Sequence, residues 1–261
     1  MKRIRVITPA IETSDLAFMA DVARSFTIPN YVNVDHVFIE TGTASIENYI
    51  DDALVTPGTI KAAIEAERDG IDGIIVNCMC DPGVHAVREA VSIPVSGTAE
   101  ISMHAASILG HSFGWIDVLE SSRTMTLDLV ARYGLHNRFG AFRAINMPVL
   151  EIESRKEETI ALLAEEALKL VRDDHVDIII LGCGALFGCD SAMKIKINQY
   201  LNIQGGKCPV PIIDPLPLAI NTMIAFVQSG LTHSKHAYPL PQNMKLVRGY
   251  NLPINTYSSK L

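Results

Sequence analysis

The chain reads as an α/β protein of two pseudo-symmetric lobes, each a doubly wound four-stranded parallel sheet, with a site in the cleft between them. Three observations predict this. Apolar, β-branched runs alternate with helical patterns along most of the 261 residues, as in βαβ units. Runs such as IIILG (178–182) are continuously apolar, which suits strands buried on both faces. Finally, two such runs reach a cysteine and break into small residues: GIIVNCMCDPG (73–83) and IIILGCGALFG (178–188).

In order, strands are expected at about 3–8 (RIRVIT), 33–40 (NVDHVFIE), 73–78 (GIIVNC) and 93–97 (IPVSG). A second set follows at about 112–118 (SFGWIDV), 139–146 (FGAFRAIN), 177–183 (DIIILGC) and 210–214 (VPIID). Helices fall near 14–25, 57–69, 83–91 and 99–110, then near 122–133, 156–173, 190–201 and 215–229. Thr56-Pro57 and Asp81-Pro82 each read as a capping residue before Pro at the first helical position. The stretch ESRKEETIALLAEEALKLV has acids early and bases late, which suits the helix dipole. Each set has four strands, and the cysteine-ending strand is third in each, so an internal duplication is expected. The expected division is 1–98 plus 210–230 as the first lobe, 99–209 as the second, and 231–261 as an extended tail. That tail carries Tyr238, Leu240, Leu246, Val247, Tyr250, Leu252 and Ile254, too many apolar groups to be left in water. It is expected to lie on its own lobe or on a neighbouring subunit of a homo-oligomer.

Composition narrows the function. Hydrophobic residues make up 48%, enough for a large core, and the net charge of −7 argues against a nucleic-acid surface. No run approaches the ~18 apolar residues of a membrane span, and MKRIRVITPA lacks the features of a signal peptide, so a cytoplasmic protein is expected. Five cysteines, an odd number, fit a reducing compartment better than a disulfide framework.

Ligands of open parallel sheets bind beyond the carboxyl ends of the strands, where Cys78 and Cys183 both stand. Two thiols approaching one cavity from opposite sides could racemise a carbon acid: one thiolate removes the proton and the other thiol returns one to the far face. The helix expected after Asp81-Pro82-Gly83 would help to lower a thiol pKa. Backbone N–H groups around GCGAL, including Gly184 and Ala185, could face charge developing on substrate oxygens. Plain burial of each thiol is the competing explanation. A metal site is disfavoured by the C-x-C spacing of Cys78 and Cys80, and a redox pair by the lack of C-x-x-C.

The motifs together resemble the aspartate/glutamate racemase superfamily, and within it the hydantoin/allantoin racemase family, over about residues 1–228. ASIENYIDDALVTPG (44–58) resembles the family's S-I-E-x-x-x-D-x-A-L-x-x-P-G, and CMCDPG (78–83) its C-F-G-D-P-G. GTAEISMHAASILG (97–110), RYGLHNR (132–138) and LGCGAL (181–186) carry the rest. The resemblance implies a cofactor-independent racemase of a small molecule, without metal, with Cys78 and Cys183 as its catalytic pair. It puts Thr8, Pro9, Ala10 and Ile11 at the substrate turn after the first strand, where the family commonly has N-P-N-T. Met79 and Cys80 follow the first thiol, with Cys80 where the family has glycine. In the second lobe the turn Ser121, Ser122, Arg123 and Thr124 would help to hold substrate, or would simply cap a helix. Thr98 is expected to point into the cleft, and Glu100 and His104 to share one helix face. Two alternatives stay open: an isomerase of small dicarboxylates like the superfamily's maleate isomerases, and a non-catalytic small-molecule binder on the same fold.

Overall fold

The computed structural model describes residues 1–25, 30–203 and 207–241. The first half runs β1 (Lys2–Thr8), α1 (Phe18–Ser25), β2 (Val32–Phe38), α2 (Tyr49–Arg68), β3 (Gly73–Val76), α3 (Val84–Ala90) and β4 (Val95–Gly97). The second runs α4 (Thr98–Leu109), β5 (Phe113–Asp117), α5 (Arg123–Arg132), β6 (Phe139–Ala144), α6 (Lys156–Arg172), β7 (Ile178–Leu181), α7 (Asp190–Tyr200), β8 (Ile212–Ile213) and α8 (Pro215–Gln228). Among the described residues all pairings are parallel, in two four-stranded sheets of order β2-β1-β3-β4 and β6-β5-β7-β8. The same order appears twice, as the expected duplication requires.

Side-chain alternation explains why both faces of each sheet are covered. Ile74 and Val76 of β3 pack with Ile64 of α2 and Val87 of α3, while Ile75 between them packs with Leu216, Ile220 and Met223 of α8. In the second sheet Ile179 and Leu181 face Leu163 and Leu170 of α6 and Met193 of α7. Ile178 and Ile180 face Met103 of α4 and Leu129 of α5. Each lobe therefore lends a helix to the other. Helix α4 follows the last strand of the first sheet and packs on the second, and α8 makes the reverse crossing. The two helices also pack against each other, which joins the lobes. Residues 210–230, grouped above with the first lobe, are thereby divided: Ile212–Ile213 pair with β7, and only the helix goes to the first sheet.

Two helix starts differ from the sequence reading. Helix α2 begins eight residues before Pro57, because Asn48 Oδ1 accepts from the N–H groups of Ile50 (2.9 Å) and Asp51 (3.1 Å), and Asp51 and Asp52 favour the first turn. Pro57 lies inside the helix. Helix α3 is entered through Gly83, in the left-handed region at φ 68°, and Asp81 does not cap it. The Asp81 carboxylate reaches instead to the start of α4, where it accepts from Ala99 N (3.0 Å) and Glu100 N (2.8 Å).

The described part of the tail, 231–241, lies along the first lobe. Thr232 Oγ1 donates to Ser92 O (2.5 Å), Val95 N to His233 Nε2 (2.5 Å), and Lys235 Nζ to Arg88 O (2.6 Å). Leu246, Val247, Tyr250, Leu252 and Ile254 lie outside the described residues.

Candidate active site

The duplicated topology places the two thiols equivalently. Cys78 stands two residues beyond the last residue of β3, Val76, and Cys183 two beyond the last of β7, Leu181. The residue between is fixed in the same way each time: Asn77 N donates to Ile7 O (2.8 Å), and Gly182 N to Ile116 O (2.7 Å). Thr8 at the end of β1 and Asp117 at the end of β5 are the matching positions on the neighbouring strands. The four strand ends surround one cavity whose walls include both cysteines. The space between them is about 640 Å³, part of it open to solvent.

The thiols differ in surroundings. Burial pushes the Cys183 thiol up, the Ala185 N–H pulls it back, and Asp117 and Cys78 raise it further. Cys80 is raised well above the ordinary thiol value, first by its hydrogen bond to Cys78 and then by burial, so it remains a protonated donor. The Cys80 N–H also points to Cys78 Sγ at 3.5 Å. Cys78 thus faces two donors supplied by the next residue but one. Asp117 is buried and pushed up to about 6 by desolvation, although Trp115 Nε1 (3.0 Å) and Val118 N (2.7 Å) donate to it. Glu47 Oε1 accepts from Val149 N (2.9 Å), which pins the loop before α2 to the second lobe.

Of the residues singled out from the sequence, Thr8, Pro9, Ala10, Cys78, Met79, Cys80, Ser122, Cys183, Gly184 and Ala185 line the cavity. Ile11, Thr98, Ser121, Arg123 and Thr124 do not. Ile11 is tied through its N–H to Thr43 O (3.0 Å). Thr98 is fully buried as the first residue of α4, where its C=O accepts from Ser102 Oγ (2.7 Å). Ser121 is exposed and reaches Glu47 O at 3.5 Å. Arg123 pairs with Glu120 and lies over the Phe142 ring, 4.6 Å from its centre. Thr124 is on the exposed side of α5. The Ser/Thr-rich turn does not form an open cradle: Ser122 Oγ donates to Leu119 O (2.7 Å), and Ser122 is buried beside the Asp117 carboxylate. Glu100 and His104 do not act as a pair: Glu100 binds Arg88, and His104 is exposed beside Tyr133. Sequence reasoning passed over Asn77, Asp117 and Glu47. Each left a trace: a polar residue interrupting GIIVNC, a carboxylate closing GWID, and the acid of the S-I-E motif.

Two α/β lobes of one strand order close with their strand ends on one small-molecule cavity, an arrangement that fits an isomerase of the racemase type. Comparison with known proteins agrees. Residues 4–223 match the Asp/Glu/hydantoin racemase family model. The chain is 33% identical over 246 residues to the hydantoin racemase of Pseudomonas sp., spanning 94% of each, and 31% identical over 200 residues to that of Rhizobium meliloti, spanning 75% and 78%. The allantoin racemase from Klebsiella pneumoniae has the same fold, with a TM-score of 0.86 at 27% identity over 98% of this chain and 100% of that one. The chain belongs to the Asp/Glu/hydantoin racemase family.

Proposed function

We propose that the protein racemises a 5-substituted hydantoin or a similar cyclic ureide by two-thiol proton transfer, without a cofactor. The observation that carries this reading is the placement of Cys78 and Cys183 at equivalent strand ends on one cavity. C5 of a hydantoin is acidified by its neighbouring carbonyl, so a thiolate is a competent base. In one direction the Cys78 thiolate takes the C5 proton, the electron pair moves onto the carbonyl oxygen, and the raised Cys183 thiol protonates the opposite face. The enzyme is left with Cys78 as thiol and Cys183 as thiolate, ready for the other enantiomer. Among the described lining residues none is Lys, Arg or His, whereas Glu47 and Asp117 are acids. Such walls suit a neutral ring and disfavour the dicarboxylate alternative.

The test uses deuterated water. Cys78→Ser and Cys183→Ser should each abolish racemisation, because an alcohol is too weak an acid to replace a thiol in either role. Each variant should still exchange the C5 hydrogen of one enantiomer, with retention, and the two should prefer opposite hands. Racemisation at the parent rate by either variant would sink the two-thiol mechanism.

A further inference from the structure

Beside Cys78, one polar atom in the cavity wall has no partner among the described residues. Asn77 is 3% exposed, and none of those residues donates a hydrogen bond to its Oδ1. Its other end is held: Nδ2 donates to Thr8 Oγ1 at 3.5 Å, and Thr8 Oγ1 is itself 2.8 Å from His36 Nε2. Three neighbouring strands thus contribute a short chain of polar groups, His36 on β2, Thr8 on β1 and Asn77 just after β3, that turns an amide oxygen toward the seam between the lobes. Gly184, the residue after Cys183, marks the spot: a β-carbon there would lie 3.3 Å from Asn77 Oδ1. The matching position in the second lobe is Gly182, which has no side chain, so the acceptor stands on one side only. A buried amide oxygen left unpaired is costly, and wall residues of this kind are expected to find their partner in the ligand.

We propose that Asn77 Oδ1 accepts a hydrogen bond from a ring N–H of the substrate and so selects ureides over molecules that bring only acceptors to this point. The inference rests on the cyclic-ureide reading above and adds the residue that recognises the ring. A carboxylate oxygen placed here would meet another acceptor. Asn77 is a specificity residue, with no part in moving the C5 proton.

Calorimetric titration with hydantoin, 1-methylhydantoin and 3-methylhydantoin tests this without turnover. For the parent, methylation of one ring nitrogen should weaken binding at least about tenfold, because it removes the donor and leaves the acceptor buried and unpaired. Asn77→Leu, of similar shape, should bind hydantoin about tenfold more weakly and treat all three ligands alike within about threefold. Thr8→Val, which frees the amide to turn, should fall between them. A parent protein that binds the three ligands equally, or binds none, overturns the inference, and so does an Asn77→Leu variant that keeps the full discrimination. The two readings fail separately. Binding with the predicted discrimination but no C5 exchange removes the racemase mechanism alone, and exchange indifferent to N-methylation removes the role of Asn77 alone.

Discussion

Replacing Asp81 with alanine should destabilise the protein by about 4 kcal/mol at neutral pH. Its carboxylate accepts from Ala99 N (3.0 Å), Glu100 N (2.8 Å) and Tyr133 Oη (2.6 Å) while only 1% exposed. Bonds to a charged group contribute ~1.5–3 kcal/mol each, and the substitution leaves the buried Ala99 N–H and the half-buried Glu100 N–H and Tyr133 hydroxyl without this partner. Against this, burial lifts Asp81 from 3.8 to about 6. The shift of roughly two units means that its ionisation costs ~3 kcal/mol, which alanine recovers. Asp81 also sits at φ 48°, a region that alanine tolerates less well than aspartate, for about another 1 kcal/mol. Urea unfolding at pH 7, followed by circular dichroism, should show the midpoint falling by at least ~1 M. The pH dependence follows from the same group. Its folded pKa lies above its unfolded one, so its contribution is full below about 3.8 and declines as pH rises through about 6. The gap between parent and variant should therefore be wider at pH 4 than at pH 7, by about 2 kcal/mol. Gly97 supplies an internal control. A β-carbon there would meet Asp81 Oδ1 at 2.0 Å, so Gly97→Ala should be damaging alone and nearly silent in the Asp81→Ala background. A loss below ~1 kcal/mol for Asp81→Ala, or additive effects of the two substitutions, would refute this account.

Two further outcomes follow from the site and the tail. Cys80→Ala removes the thiol donor from Cys78, so iodoacetamide should label Cys78 several-fold more slowly at pH 7, while turnover falls by less than about tenfold because the backbone N–H remains. Unchanged labelling would mean that Cys80 does not support Cys78. Ending the chain after Gly230 removes the bonds of Thr232, His233 and Lys235 to the first lobe, worth about 3 kcal/mol together, so the melting temperature should drop by roughly 8 °C. An unchanged melting temperature would show that the tail adds nothing to the lobe.

The parallel sheets were legible because strands covered on both faces must be apolar throughout, and few helices look like IIILG. The cysteines were legible for a related reason: each ends such a run at the side of a sheet where ligands bind. Other features depend on distance in space. Asp81 reads as a local cap, and only the approach of α4 shows that its carboxylate serves a helix start eighteen residues on. Pro57 reads as a boundary, yet the cap at Asn48 starts the helix earlier and carries it past the proline. Arg123 and Thr124 were placed near substrate by their turn, but the rotation of α5 directs one to Glu120 and Phe142 and the other to solvent. Asn77 and Asp117 acquire meaning only when β1, β3, β5 and β7 are set in register, a relation between residues some seventy to a hundred positions apart.

The lobes repeat one topology but not one chemistry. Thr8 and Asn77 on one side are answered by Asp117 and Gly182 on the other. For a substrate with one stereocentre the two hands have equal free energy, so the equilibrium constant is one. The Haldane relation then makes kcat/KM equal in the two directions, however unlike the walls. Whatever preference the uneven lobes have must appear as a matched pair: the hand that is held more tightly is turned over more slowly in the same proportion. The asymmetry can set which enantiomer saturates the enzyme first, but it cannot give the reaction a direction.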